Sequence, residues 1–238
     1  MPLPKISTPT YELEIPSTGK KIKYRPFLVK EEKVLIIAME SEDITQIAGA
    51  VRDVISACII TRGVKVNELS TFDIEYLFLN IRGKSVGEEV EVLVTCPDDG
   101  TTKVPVTINL DEIKVQFDES HSRDIRLDDS LVLRMKYPSM DEFVKNNFSV
   151  ANVNLEETFN VIASSIEQIY SEEESWSAKD CTKKEMREFL EQLSSKQFKE
   201  VENFFATMPK LSHTIKVTNP NTEVESEVVL EGLASFFV

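Results

Sequence analysis

The chain has 238 residues, 41% of them apolar and 29% charged, with a formal net charge of −14 at pH 7, which is typical of a globular protein long enough to bury its own core. Its 27 basic side chains against 41 acidic ones argue against nucleic acid as a partner, because phosphate binding requires clustered Lys and Arg. No apolar stretch approaches the ~20 residues of a membrane-spanning helix, and the N-terminus lacks the apolar run of a signal peptide, so neither a membrane partner nor export is expected.

The N-terminal stretch is predicted to form a β-hairpin. Tyr11, Leu13 and Ile15 alternate with glutamates, and a second alternating stretch around Ile22 follows a Gly-containing turn at residues 16–19. Alternation on both sides of such a turn is typical of two paired strands with one buried face.

Three helices are predicted next, over residues 30–41, 44–59 and 70–83. The first lacks Gly and Pro and has Leu35, Ile36 and Met39 on one side. The second repeats apolar residues at steps of three and four, the period of an amphipathic helix. The third begins at Ser70, whose hydroxyl can cap a free backbone N–H.

From residue 88 the apolar period changes to two, which predicts strands. One alternating run contains Val90 and Val94, and a second, centred on Val106, follows a turn at residues 96–100. Shorter β patterns follow around Val115 and Leu133. Together these segments predict a small antiparallel sheet in the middle of the chain.

The last hundred residues are predicted to be helices followed by a hairpin. Capping-box patterns begin at Ser139 and Thr182, and an apolar stripe from Leu155 to Ile169 predicts a helix between them. The segment from Ser194 to Gln197 is predicted to cap a last helix. The predicted closing hairpin has strands over residues 213–218 and 224–230. The predicted fold class is therefore α+β, with antiparallel hairpins alternating with two helical groups. The predicted domains are residues 1–87, 88–138 and 139–238, or one continuous domain.

The two long hairpins resemble one another at their turns. Val94-Thr95-Cys96-Pro97 and Val217-Thr218-Asn219-Pro220 occupy the same place before the turn. An internal repeat and convergent turn chemistry explain this similarity equally well.

The sequence predicts no catalytic residues, no cofactor and no metal site. Cys96-Pro97-Asp98-Asp99-Gly100 resembles one knuckle of a zinc ribbon, but the matching turn offers Asn219 and structural zinc needs four closed ligands. The only two histidines, His121 and His213, are interpreted as surface residues because no oxyanion or nucleophile-elbow motif flanks them. Three sparse cysteines are typical of free thiols in a reducing compartment.

The candidate partner contacts are large apolar residues in unusual places. Trp176, the single tryptophan, lies in the polar stretch 171–180 and is interpreted as an interface anchor in a loop, or as a plug over the helical core. Leu233, Phe236 and Phe237 make the C-terminal segment apolar, either as a docked tail or as a peptide offered to a partner groove.

Several segments together carry a resemblance to a known family. They are residues 8–20, 23–32, 72–79 and 84–88 and the C-terminal Gly232, Leu233, Phe236 and Phe237. In these segments the chain resembles the baseplate proteins of T4-like phages, specifically the baseplate hub subunit or baseplate hub assembly chaperone family.

The resemblance implies a function based on protein–protein binding. It implies a non-enzymatic assembly factor or structural subunit of the contractile-tail baseplate hub, made in the host cytoplasm and binding hub proteins, and it is equally compatible with a part retained in the virion. The alternatives are a structural protein elsewhere in the baseplate, such as the wedge, and a hydrolase that pairs Cys181 or a serine with a histidine. The oligomeric state is left open.

Overall fold

The computed structural model describes residues 6–139, 155–232 and 235. The chain forms two compact units, one of Met1–Gln116 with Lys210–Val238 and the other of Phe117–Pro209. The described residues form six α-helices and eleven strands, and every strand pair is antiparallel. The predicted α+β fold class is confirmed.

The bounds of the elements are as follows. The helices are α1 (Val29–Glu40), α2 (Ile44–Cys58), α3 (Thr71–Val86), α4 (Leu155–Ser164), α5 (Lys183–Glu191) and α6 (Ser195–Thr207). The strands are β1 (Tyr11–Glu14), β2 (Lys21–Tyr24), β3 (Glu89–Thr95), β4 (Lys103–Asn109), β5 (Lys114–Gln116), β6 (Asp124–Arg126), β7 (Val132–Met135), β8 (Ile166–Tyr170), β9 (Ser175–Ser177), β10 (Lys210–Thr218) and β11 (Glu225–Glu231).

The first unit has the predicted N-terminal hairpin and three helices. β1 pairs with β2, and Ile22 and Tyr24 on β2 are buried. Leu79 of α3 lies in an apolar core that it shares with residues of β3, β4, β10 and β11. Ser70 caps α3, because its hydroxyl accepts the Asp73 N–H while the Asp73 carboxylate accepts the Ser70 N–H, as predicted.

The predicted single sheet in the middle of the chain is wrong, although its strands exist. β3 and β4 pair with each other, whereas β5 pairs with β10, and β7 lies between β6 and β8. The period of two shows which side chains of a strand are buried, but it does not show which strand lies beside it. The middle segment therefore contributes strands to three separate sheets.

The second unit is a four-stranded sheet, in the order β6-β7-β8-β9, with three helices that share its core. That core includes Leu133 and Met135 of β7, Ile162 of α4, Leu190 of α5 and Val201 of α6. Thr182 forms the predicted capping box of α5, and Ser194, the predicted cap of α6, also forms a capping box. The rest of the capping box predicted at Ser139 lies outside the described residues.

The predicted helix over residues 155–169 is wrong beyond residue 164. Ser164 and Ser165 both donate their hydroxyls to the Val161 carbonyl. Such side-chain hydrogen bonds compete with the backbone hydrogen bonds of the last helical turn. Ile166 and Ile169 are three residues apart, which fits a helix, but both are buried in β8, where the chain pairs with β7. The Ser pair therefore marks a helix end that periodicity alone misses.

Candidate partner-binding surfaces

Helix α1 has an exposed apolar surface. Its exposed apolar side chains are Val29 (79%), Val34 (45%), Ile36 (50%), Ile37 (57%) and Met39 (59%). On the predicted apolar side of this helix Leu35 is half-buried, whereas Ile36 and Met39 are exposed. Only Glu31 and Ala38 of α1 are buried.

A buried carboxylate anchors α1 and leaves that surface open. The Glu31 carboxylate accepts hydrogen bonds from the Leu28 N–H at 2.8 Å and from Arg25 Nη2 at 3.0 Å. Arg25 Nη2 also donates to the Ala57 carbonyl near the end of α2, at 3.0 Å. Burial acts to raise the pKa of Glu31, but the hydrogen bonds from Arg25, Leu28 and Lys30 outweigh it and lower that pKa to about 2.

Trp176 lies on the short strand β9 and not in a loop as predicted. It is paired with Ile169 of β8, and its side chain is 42% exposed. β9 ends the sheet order, so no strand of the described part of the chain pairs with its outer side. At an open sheet edge, an aromatic side chain can contribute apolar area to a partner, and the backbone of the edge strand can contribute hydrogen bonds.

Leu233, Phe236 and Phe237 lie outside the described residues. The described chain reaches Gly232, whose N–H donates to the Leu211 carbonyl at 2.9 Å.

His121 is half-buried in an aromatic cluster, so its interpretation as a surface residue is wrong. Its ring contacts Tyr137 and Phe204 at centroid distances of 5.6 and 5.1 Å. Its Nδ1 lies 2.9 Å from Thr207 Oγ1 and its Nε2 lies 3.1 Å from the Tyr137 hydroxyl. Sequence reasoning missed this site because the partners are 86 and 16 residues away.

The hydrogen-bond directions at His121 are those of a structural histidine. Thr207 donates its one hydroxyl hydrogen to the Asn203 carbonyl at 2.8 Å, so the hydrogen between Thr207 and His121 belongs to Nδ1. Nε2 then accepts from Tyr137. A general base for Thr207 would need the opposite direction of proton donation.

The serines beside this cluster are also held in local contacts. A groove of about 390 Å³ between β6 and α6 is lined in part by Ser120 and Ser122. Ser120 donates its hydroxyl to the Asp118 carboxylate and Ser122 donates to the Asp124 carbonyl. Neither hydroxyl is directed to a histidine.

We predict that protonation of His121 destabilises the second unit. Burial lowers the pKa of His121 below its usual value, opposed by Asp118 and supported by Arg123. The unfolded chain therefore binds a proton at His121 more readily than the folded chain does. Neutral His121 contributes stability above its unfolded pKa of about 6.5, and this contribution is lost as the pH falls below that value. Urea unfolding followed by the fluorescence of Trp176, the single tryptophan, should show stability rising between about pH 5.5 and 7.5.

The control for this prediction is His121→Phe. It keeps an aromatic ring against Tyr137 and Phe204 but removes the titrating group, so the slope of stability against pH in that window should disappear. An unchanged slope in the variant would show that another group titrates there.

The turns of the two long hairpins contact one another within the first unit. Asn219 is fully buried, and its Nδ2 donates to Asp98 Oδ2 and to Asp99 Oδ2, both at 3.0 Å. The turns share a local geometry, since the N–H groups of Gly100 and Glu223 donate to the carbonyls four residues earlier, and both residues have positive φ (67° and 61°). The similarity in sequence thus corresponds to a similarity in structure.

In a zinc ribbon, two such turns would bind a metal ion between them. Here the two turns are joined by the hydrogen bonds from Asn219 to Asp98 and Asp99. Cys96 is 1% exposed, and burial raises the pKa of its thiol, as do Asp98 and Asp99. Throughout the part of the chain that the structure describes, no group of three or more His, Cys, Asp and Glu side chains is arranged to hold a metal ion. Nor does any described helix have the length and hydropathy to cross a membrane.

Comparison with known proteins identifies the family of the chain. Residues 8–238 match the model of the family described as T4 bacteriophage base plate protein. The chain belongs to this family. No curated protein and no solved structure matches this base plate protein. The resemblance to T4-like baseplate proteins seen in the sequence is therefore confirmed for the family, and the match extends through both compact units of the base plate protein.

Proposed function

We propose that this base plate protein is a non-enzymatic assembly factor or structural subunit of the baseplate hub of a T4-like phage, and that it acts by binding other baseplate proteins. The chain matches the base plate family over residues 8–238. The observation that carries the proposal is that it exposes large apolar side chains on both units, on α1 in the first and at Trp176 in the second. Exposed apolar surface of this kind marks sites of protein–protein binding. The sequence resemblance of residues 8–32 supports the hub as its location.

We further propose that the partner contacts include Trp176, Leu233, Phe236 and Phe237. Tryptophan and phenylalanine supply large apolar area with few rotatable bonds, so they dominate many interfaces. The hydroxyls of Thr207, Ser120 and Ser122 are not arranged as nucleophiles activated by His121, since each donates its hydrogen to a carbonyl or carboxylate oxygen.

The experiment that tests the location is affinity purification of a tagged copy from infected cells, followed by cross-linking mass spectrometry. Hub proteins should be enriched and cross-linked to this chain. Enrichment of wedge proteins instead would replace the hub with the wedge, and enrichment of no baseplate protein would overturn the proposal. Mass spectrometry of purified virions separates the two roles, because a subunit stays in the particle and an assembly factor does not.

Trp176→Ala is the matched test of the contact on β9. We expect it to lower recovery of hub proteins in the same purification, because truncating a central aromatic anchor typically costs about 2 kcal/mol or more of binding energy. Leu93→Ala, at a 56% exposed position in the first unit, is the control and should leave recovery unchanged. Equal recovery with both variants would remove Trp176 from the interface.

Deleting residues 236–238 tests the C-terminal contacts. As partner contacts, Phe236 and Phe237 should be dispensable for folding, so the truncated protein should keep its thermal stability while hub assembly fails. A lower melting temperature would instead assign the tail to the protein's own core, where burial of both rings contributes on the order of 3–6 kcal/mol. Unchanged stability with a normal phage yield would show that the tail serves neither purpose.

A further inference from the structure

One face of α1 combines an apolar centre with opposite charges at its two ends. The face consists of Lys33, Ile36, Ile37 and Glu40, which are spaced at i, i+3, i+4 and i+7 and therefore lie on one side of the helix. All four side chains are exposed. We call this set the α1 face.

The charges of the α1 face have no partner within the chain as described. Neither Lys33 nor Glu40 forms an ion pair with any of residues 6–139, 155–232 and 235, whereas the neighbouring Lys30 pairs with Glu31 at 3.3 Å. α1 packs against α2, and its buried residues, Glu31 and Ala38, lie on the opposite side from the α1 face. The face is thus available for a second helix.

We propose that the α1 face binds the same face of a second copy of this chain. Two α1 helices placed antiparallel about a two-fold axis that passes between Ile36 and Ile37 bring the Ile36 and Ile37 side chains of both copies together at the centre of the contact. The same operation brings each Lys33 opposite the second copy's Glu40. An isologous interface needs a surface that is its own complement, and the α1 face meets that condition in both its apolar centre and its charges.

A second copy of this chain fits the α1 face better than a different helix does. A partner helix must supply an apolar centre, an acid opposite Lys33 and a base opposite Glu40, and α1 itself supplies all three. The net charge of −14 on each copy opposes association at a distance. At physiological salt, however, charges separated by more than about 8 Å are largely screened, so the contacts at the α1 face determine whether two copies associate.

The size of the α1 face determines the expected affinity of the dimer. A helix of 12 residues is about 18 Å long, so a contact between two such helices buries less than the roughly 800 Å² per partner of a standard interface. The dimer should therefore be weak and should form with rising protein concentration. This property goes beyond the proposed binding of hub proteins and does not depend on it.

Sedimentation velocity on the full-length protein tests the proposal through a charge exchange. The weight-average mass should rise with concentration from 27.0 kDa toward twice that value. Lys33→Glu and Glu40→Lys should each weaken dimerisation roughly tenfold, because each replaces two attractive contacts with two repulsive ones. Mixing the two variants should restore dimerisation, since each mixed pair again has opposite charges at both contacts.

The apolar centre is tested by Ile36→Asp, with Val224→Asp as the control at another exposed apolar position. Ile36→Asp should weaken dimerisation at least about 30-fold, and Val224→Asp should not change it. Circular dichroism checks that each variant remains folded, as expected for an exposed position. A protein that stays monomeric at every concentration overturns the proposal, and so does a dimer whose single charge variants fail to rescue one another.

Discussion

Replacing Glu31 with alanine is expected to lower the free energy of unfolding by about 3 kcal/mol at pH 7. The Glu31 side chain is buried, and its carboxylate accepts hydrogen bonds from the Leu28 N–H and from Arg25. Its removal leaves the Arg25 guanidinium, itself largely buried, without its carboxylate partner, and it leaves the first turn of α1 without a cap. Urea unfolding followed by circular dichroism measures the loss.

The pH dependence distinguishes the charge of Glu31 from its packing. Its pKa is lowered from 4.5 to about 2, so the carboxylate contributes stability above the unfolded pKa, and this is lost as the pH falls toward 2. A difference of this size corresponds to roughly 3 kcal/mol, in agreement with the loss expected from the contacts. The stability difference between the native protein and Glu31→Ala should therefore shrink between about pH 5 and pH 2.

The control for Glu31 is Glu12→Ala, which removes an exposed carboxylate that pairs with Lys23 at 3.5 Å. Exposed ion pairs contribute little to stability, so this variant should unfold almost as the native protein does. A loss for Glu31→Ala that is constant across the whole pH range would assign its effect to packing. Because Glu31 positions α1, the variant should also weaken any association through the α1 face.

The elements that could be predicted from the sequence are those determined locally. The capping boxes at Ser70, Thr182 and Ser194 depend on side chains three residues from the backbone groups they satisfy, so the sequence shows both partners. The alternation around Val92 and Val106 likewise identifies two strands joined by a short turn, which pair with each other.

Features that depend on distant residues could not be predicted. β5 pairs with β10 nearly a hundred residues later, and no local pattern names that partner. His121 meets Thr207 in the fold, although its neighbours in sequence are polar. The exposure of apolar residues on α1 is a further such feature, since apolar residues in a helix usually face a core. However, the exposed Val34 and Ile36 are two residues apart and therefore lie on nearly opposite sides of the helix, a spread that a single core-facing stripe does not explain.

Replacing Asn219 with aspartate is expected to be among the most destabilising single changes in the first unit, at about 3–5 kcal/mol at pH 7. The Asn219 Nδ2 group donates to the carboxylates of Asp98 and Asp99, and Oδ1 accepts the Asn221 N–H at 2.9 Å. Aspartate places an acceptor where the donor was, so a carboxylate at the buried position 219 would face the exposed carboxylates of Asp98 and Asp99. Like charges at this distance cannot all remain ionised without a large cost.

Two comparisons separate charge repulsion from loss of the hydrogen bonds. Asn219→Ala removes the donor without adding a charge, so it should lose less stability than Asn219→Asp at pH 7. Lowering the pH toward about 4 should narrow the gap between the two variants, because protonating one carboxyl of the aspartate variant removes the repulsion.

Asn221→Ala is the matched control in the same turn. Asn221 Nδ2 donates to Thr102 Oγ1 at an exposed position, so its removal should change the urea midpoint only slightly. If Asn219→Asp were instead as stable as the native protein at pH 7, the contacts between Asn219 and the two carboxylates would not be what holds the hairpin turns together. The buried amide would then be a consequence of hairpin packing, and the apolar core beneath the turns, with Val94 and Val217, would hold them in place.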